Sequence, residues 1–429
     1  MVEGLLSPRE RDANPPRVGF AMSCRFCGTL ADHVFVDLGM SPLCESFLQA
    51  GQLNQMEPFY PLRVHVCPKC FLVQLAEYVN PADIFTEYAY FSSYSKTWVE
   101  HARVFADTMR RRLQLTDRSF VIEIASNDGY LLQHFVAAGI PVLGIEPAVN
   151  VAAAARARNV PTRSVFFGVE AAQELAATGE RADLLIGNNV LAQVPDVNDF
   201  VAGLKLALKP TGTLTMEFPH LMRLIEGNQF DTIYHEHFSY FSLLTAARIF
   251  AAHGLTVFDV EELPTHGGSL RIHVRHEADE TRPVDPRVSE LLSRETRAGL
   301  DGLRAYTAFD EQVKATKRKL LEFLIGVRRE GKSIAGYGAP GKGNTLLNYC
   351  GIRSDFLDYT VDGNPYKHYR FLPGTHIPIF PPDRIAETRP DYVLILPWNL
   401  KDEIVEQLAY IREWGGQCVV PIPEVRVCG

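Results

Sequence analysis

Two C-x-x-C pairs, Cys24 with Cys27 and Cys67 with Cys70, constrain the start of this chain more than any other feature. Each pair puts two thiolates on one tight turn, and two such turns converge on a tetrahedron, the geometry of a closed structural zinc site. Gly28 follows the first pair and frees the backbone for that turn. A redox C-x-x-C is a single pair ahead of a helix in a strand–helix–strand setting, which two pairs do not match. Cys44 lies between the pairs, and Cys350, Cys418 and Cys428 are scattered downstream. With no export signal visible, paired cysteines favour metal over disulfides. Four thiolates complete the coordination of zinc, so the metal is expected to be scaffold and not catalyst.

The chain has 429 residues, 46% hydrophobic and 22% charged, which is ordinary for a globular protein of several domains. Residues 1–21 read as a flexible leader. No apolar run approaches the ~18–20 residues of a membrane span, so a cytoplasmic protein without a membrane partner is expected. The formal net charge of −8 and the lack of a Lys/Arg tract argue against nucleic acid. A monomer is expected.

Three units follow along the chain. Residues 22–80 are strand- and turn-like and form the zinc module. Residues 81–285 begin with a run dense in Tyr and Ser, TEYAYFSSYS. It reads either as packing between domains or as a lid, with Tyr88 shaping a pocket. A helix is predicted from Lys96 to about Leu115. From Phe120 apolar strands alternate with helices (FVIEIAS, PVLGIEP, ADLLIGNN and GTLTMEFP are strands), which predicts a parallel, doubly wound sheet. Residues 286–331 are helical and lead into a second α/β unit within 286–429, built on SIAGYG, LDYTVDGNP and DYVLILPW. The fold class is therefore α/β: a zinc module, then two Rossmann-like units.

The turn after the first strand, VIEIASNDGYL, keeps only Gly129 of a dinucleotide fingerprint, with Ser126 and Asn127 in the loop. Glu146 ends the next strand about twenty residues on, where a carboxylate accepts the ribose hydroxyls of an adenosine. Glu123 is a second acid. Beside a diphosphate it would repel like charge, whereas beside the α-amino group of a methionine moiety it would attract. This favours S-adenosylmethionine over a nicotinamide dinucleotide.

Five segments, taken in order, resemble the sugar C-methyltransferases: EIASNDG (123–129), GIEP (144–147), NNVLAQVP (188–195), YHEH (234–237) and GYGAPGKGN (336–344). With the four cysteines the resemblance runs from about residue 22 to the C-terminus. It implies a zinc-bearing N-terminal domain, a middle domain holding S-adenosylmethionine, and a C-terminal domain that helps hold a sugar nucleotide. It also implies methyl transfer to carbon 3 of a thymidine-diphosphate-linked 4-keto deoxysugar in antibiotic biosynthesis, some relatives acting at carbon 5. The matching segments nominate Asn127, Asp128, Gly129, Pro147, Asn188 and Asn189, with Glu123 and Glu146, for the donor. One position departs: Gln193 stands where the family often has histidine, and an amide takes up no proton at neutral pH.

Methyl transfer to carbon needs a carbanion equivalent. A 4-ketone supplies one as an enolate, given a base near carbon 3 and donors near the ketone oxygen. His237 is the expected base, Glu236 its tuner or a sugar ligand, and Tyr234 the partner of the keto oxygen. HEH lacks the H-E-x-x-H spacing of a catalytic metal site. GYGAPGKGN has Walker-like spacing, but Gly343 replaces the magnesium-binding hydroxyl, so an NTPase is not expected. Its glycines, among them Gly338, with Lys342 and Asn344 are expected to cradle the diphosphate, and Asp362, Asn364 and Lys367 to hold the nucleotide end. The alternatives are a carbon-5 or O-methyltransferase, a zinc-ribbon RNA-modifying protein, and a non-catalytic binding homologue.

Overall fold

A computed structural model describes residues 22–80 and 91–428. The leader and Tyr88 lie outside the described residues.

The zinc module is small. A two-stranded ribbon pairs Met22–Ser23 with Leu30–Ala31, and a four-stranded sheet runs Ser239–Tyr240, Val73–Leu75, Tyr60–Val66, His33–Ser41. Each C-x-x-C closes on itself: Gly28 N–H donates to Cys24 O at 2.9 Å and Phe71 N–H to Cys67 O at 3.0 Å. The residue after each pair turns left-handed, Gly28 at φ +71° and Phe71 at φ +63°. Glycine does this freely; Phe71 is held there by its ring stacked on Tyr306, centroids 6.1 Å apart. The first strand of the sheet, Ser239–Tyr240, is contributed by residues far downstream.

The middle sheet has seven strands, in the order 255–263, 269–276, 208–219, 182–188, 121–124, 142–145, 162–163. Neighbours among the last five are parallel, and the first two add antiparallel strands at one edge. Val121–Ile124 is buried throughout, as a central parallel strand covered on both faces must be. The antiparallel pair was not anticipated. Arg271, His273 and Arg275 interrupt its apolar pattern and are buried with partners: Arg271 meets Glu217 at 2.6 Å and Glu261 at 3.1 Å, His273 meets Glu261 at 3.0 Å, and Arg275 donates to the carbonyls of Arg282, His276 and Glu277. The predicted helix after the Tyr-rich run spans Lys96–Arg112.

The C-terminal sheet has six strands, in the order 379–380, 360–361, 334–337, 392–395, 417–420, 426–428, all parallel except the last. Helices Pro286–Arg297, Leu303–Thr307 and Phe309–Arg329 connect it to the middle unit. Phe309 also stacks on Phe35 of the zinc module, centroids 4.7 Å apart.

Val121–Ile124 and Ile334–Tyr337 each lie where their sheet reverses its order of connection. Ligands of doubly wound sheets collect at the carboxyl ends of such strands. Here both reversal points open on one cavity of about 1090 Å³. No helix among the described residues is long and apolar enough to cross a membrane.

Candidate active site

The four expected thiolates converge. Cys24 Sγ and Cys70 Sγ are 3.5 Å apart, as are Cys27 Sγ and Cys67 Sγ, and all four sulfurs lie within 4.8 Å of one another. Bonds of ~2.3 Å to a tetrahedral zinc put sulfurs ~3.8 Å apart, so the set fits that metal and is too wide for disulfides. Arg25, inside the first pair, ties the knot to the rest. Its guanidinium donates to Phe238 O, to Ser239 Oγ at 3.2 Å and to Leu75 O at 2.7 Å. The zinc knot thus grips the strand that directly follows YHEH.

At the carboxyl end of the middle sheet, Glu146 Oε2 accepts Asn127 N–H and Oε1 accepts Ala148 N–H, each at 2.9 Å. Burial pushes its carboxyl up, and these two N–H groups oppose the shift. Asn127 takes φ +48° and Gly129 φ +78°, and a Cβ on Gly129 would meet Val160 Cγ2 at 2.9 Å, so the loop demands glycine there. Asn127, Glu146, Pro147, Asn188 and Asn189 line the cavity. Both polar side-chain atoms of Asn188 are buried without a partner, as expected of a site that completes its hydrogen bonds with a polar ligand. These residues fit S-adenosylmethionine.

Three of the nominated residues are placed off the cavity lining. Asp128 does not reach the cavity, because Arg158 takes its carboxylate at 2.8 Å and Ser93 Oγ also donates to it. Gly129 shapes the turn without lining the cavity. Glu123 is fully buried and is not part of the cavity lining. Burial, then Glu146 and Asp128, push its carboxyl well above the usual range, while Tyr130 opposes them.

Glu146→Ala removes the carboxylate that fixes Asn127. Charged hydrogen bonds contribute ~1.5–3 kcal/mol, so affinity for S-adenosylmethionine is expected to fall ~10- to 100-fold by calorimetry.

YHEH is irregular chain clamped on both sides: Phe238 N–H donates to Ala192 O at 2.7 Å, and Ser239–Tyr240 pairs with Val73–Gln74. Tyr234, Glu236 and His237 line the cavity, whereas His235 turns to Pro61 O at 3.2 Å. His237 Nδ1–H donates to Thr232 O at 3.3 Å, which leaves Nε2 as the acceptor. Burial pushes the imidazole down to about 4; the Thr232 carbonyl opposes this, and His266 and Lys342 add to it. The ring packs on Tyr234, centroids 4.1 Å apart. Burial holds the Tyr234 phenol well above its usual range, so it stays a donor. Gln193 lines the same cavity, on the 3-10 turn Leu191–Gln193.

Several lining residues carry no motif and escaped the sequence reading. Cys44 Sγ lies 3.8 Å from Glu236 Oε1. His101 Nε2 sits 3.1 Å from both oxygens of Glu217. Burial raises that carboxyl, but His101 and Arg271 outweigh it and hold it below its usual value. His266 takes φ +56°, and its Nε2 accepts from Asn189 Nδ2 at 3.3 Å. Burial pushes it down to about 4. The signal that marks His266 is the glycine pair that follows it, Gly267 and Gly268, at φ +90° and +122°.

At the C-terminal unit, Gly338, Lys342, Asp362, Asn364 and Lys367 line the cavity. Gly338 is at φ +88°, and a Cβ there would meet Pro397 Cδ at 2.5 Å. Asp362 accepts Ala339 N–H at 2.7 Å and Asn364 N–H at 2.8 Å, so it also holds its own loop. Lys367 donates to Ala339 O at 2.8 Å and stands 3.8 Å from Glu45. Asn344 is not part of the cavity lining, its Nδ2 donating to Cys44 O at 2.5 Å. Glu45 lies against the first turn of helix Gly341–Cys350, where a Cβ on Gly341 would be 3.2 Å from Glu45 Oε1. The chain's own carboxylate therefore stands at the helix start that the glycine motif offered to a phosphate.

Residues 24–85 match a zinc binding domain family, 98–260 a methyltransferase domain family, and 264–423 a C-methyltransferase C-terminal domain family. The C-methyltransferase NovU of Streptomyces niveus is 37% identical over 94% of this chain and 96% of its own length. A magnesium protoporphyrin IX methyltransferase from Synechocystis PCC 6803 is 15% identical, with a TM-score of 0.31 over 42% of this chain and 81% of its own. A methyltransferase from Anabaena variabilis is 14% identical, with a TM-score of 0.34 over 41% and 84%.

Proposed function

Because the chain belongs to the S-adenosylmethionine-dependent C-methyltransferases, we propose that it methylates carbon 3 of a thymidine-diphosphate-linked 4-keto deoxysugar through an enolate. The observation that carries the reading is His237: a neutral imidazole whose Nε2 is left to accept, packed on the Tyr234 ring in the cavity that the donor loop also lines. Bound S-adenosylmethionine supplies an electrophilic methyl group. The chain's own residues prepare the carbon that receives it.

His237 Nε2 takes the proton from carbon 3, and the electron pair moves to the ketone oxygen. Tyr234 keeps its proton and donates a hydrogen bond to that oxygen. Glu236, beside Cys44, faces a substituent of the sugar. Asp362, Asn364 and Lys367 take the nucleotide end. Gln193 supplies an amide where relatives often place an imidazole, and His266 keeps a second imidazole in the same cavity.

Solvent-proton exchange tests this. Incubated in deuterated water without S-adenosylmethionine, the protein is expected to exchange the carbon 3 proton of the 4-keto sugar nucleotide. Exchange at carbon 5 would move the reaction to that carbon. Absence of exchange, with methyl transfer to a hydroxyl, would make it an O-methyltransferase, and absence of both would leave a binding homologue.

A further inference from the structure

Lys342 sits in a setting unlike that of a phosphate-binding lysine. It is the second residue of helix Gly341–Cys350, and its side chain enters the cavity. Its Nζ donates to the amide of Asn399 at 2.7 Å and lies 4.8 Å over the Trp398 ring. Asp231, the acid whose field reaches it, engages Oδ2 with the Trp398 indole N–H at 2.6 Å, and its Oδ1 is buried without a partner. The ammonium is thus held by an amide and a ring, with no carboxylate as its hydrogen-bond partner. A cation so placed is stabilised when an anion enters the cavity.

Two observations say which anion. The helix start that would cradle a diphosphate already carries Glu45, and Asp362 lines the cavity nearby, so a diphosphate there would meet two carboxylates. Lys342 instead shares one cavity wall with His237 and His266. Trp398 packs toward the His266 turn as well, since a Cβ on Gly267 would meet its ring at 2.6 Å. Lys342 therefore belongs with the imidazoles, not with the nucleotide.

Building on the enolate reading above, we propose that Lys342 is a catalytic residue whose ammonium stabilises the enolate oxygen while His237 holds the abstracted proton. The balance is simple. The C–H bond breaks, its proton goes to His237 Nε2, and its electron pair becomes the C=C bond of the enolate. The carbonyl π pair becomes the oxyanion facing Lys342 and Tyr234. When the enolate carbon takes the methyl group, the new C–C bond forms as the methyl C–S bond of the donor breaks, its pair stays on sulfur and S-adenosylhomocysteine leaves; the carbonyl is restored and the imidazolium returns its proton to solvent. A base as weak as this imidazole needs such help, because the enolate must be made nearly as easy to form as the imidazolium.

The test compares Lys342→Met and Lys342→Arg with the parent protein. It reads solvent-deuterium exchange without S-adenosylmethionine, and affinity for thymidine diphosphate by calorimetry. Removing one oxyanion donor costs ~100- to 1,000-fold in rate, so the Met variant is expected to lose about that much exchange. Its thymidine diphosphate affinity should stay within about threefold, and Arg should restore part of the exchange. Unchanged S-adenosylmethionine affinity reports an intact fold; if Met fails that check, Lys342→Gln, which keeps a polar head for Asn399, replaces it. Lost thymidine diphosphate affinity with exchange preserved would overturn the proposal in favour of a diphosphate ligand. Absence of exchange in the parent protein would overturn the enolate reading itself, and this proposal with it.

Discussion

His237→Ala is expected to lower turnover ~100- to 10,000-fold, the usual worth of a positioned general base, and to leave S-adenosylmethionine affinity unchanged. The loss should appear in the deuterium exchange as well as in methyl transfer, because the base acts before the carbon–carbon bond forms. The His237 ring is buried and packed on Tyr234, so alanine leaves a hole of roughly imidazole size, and added imidazole should restore part of the exchange. The pH profile provides a second check. The working base is the neutral ring, and burial brings its ionisation down to about 4. Protonation removes the base as pH falls, so the acidic limb of kcat/KM in the parent protein should fall near pH 4, not near the ~6.5 of a free imidazole. Turnover equal to that of the parent protein would remove His237 from the mechanism.

Loss of the metal is expected to be as damaging, though His237 is far away in sequence. Zinc contributes ~10–16 kcal/mol of apparent binding energy in small Cys/His modules, and that energy is folding energy. Cys70→Ser, or chelation of the wild-type protein, should lower the thermal midpoint sharply and abolish methyl transfer. The route is physical. Without the knot, Arg25 no longer holds Phe238 O, Ser239 and Leu75, and the strand Ser239–Tyr240 loses its neighbour. YHEH then has a clamp on one side only, and Cys44 and Glu45 leave the cavity wall. The donor loop rests on the seven-stranded sheet instead, so S-adenosylmethionine affinity should fall less than about tenfold. A zinc-free protein with full activity would refute the coupling. Four thiolates leave the metal no open position, and the segment they help hold is the one proposed to carry the base.

The parallel core of both sheets was legible because central strands such as VIEI and YVLI are continuously apolar and sit between helical patterns. The antiparallel strands 255–263 and 269–276 were not, since their charges are buried by ion pairs that no local pattern records. The site divided in the same way. Asn127, Glu146, Asn188, Glu236, His237 and Lys342 announced themselves through motifs. Cys44, His101 and His266 are single residues with no spacing rule, and only folding brings them to the cavity. Asp128 and Asn344 showed the opposite error: they stand in motifs, but Arg158 and the Cys44 carbonyl claim their side chains.

The residues alone determined the zinc knot, the two doubly wound sheets and the donor loop, because each follows from short-range spacing: two thiolates per turn, apolar strand before helix, a carboxylate one strand on. Only the tertiary structure decided that both sheets open on one cavity, that Arg25 couples the knot to YHEH, and that Glu45 occupies the helix start where a phosphate was expected. Those facts depend on which charged groups meet across hundreds of residues of chain. Charge has no period in a sequence; it acquires meaning when burial removes water and forces each group to find a partner.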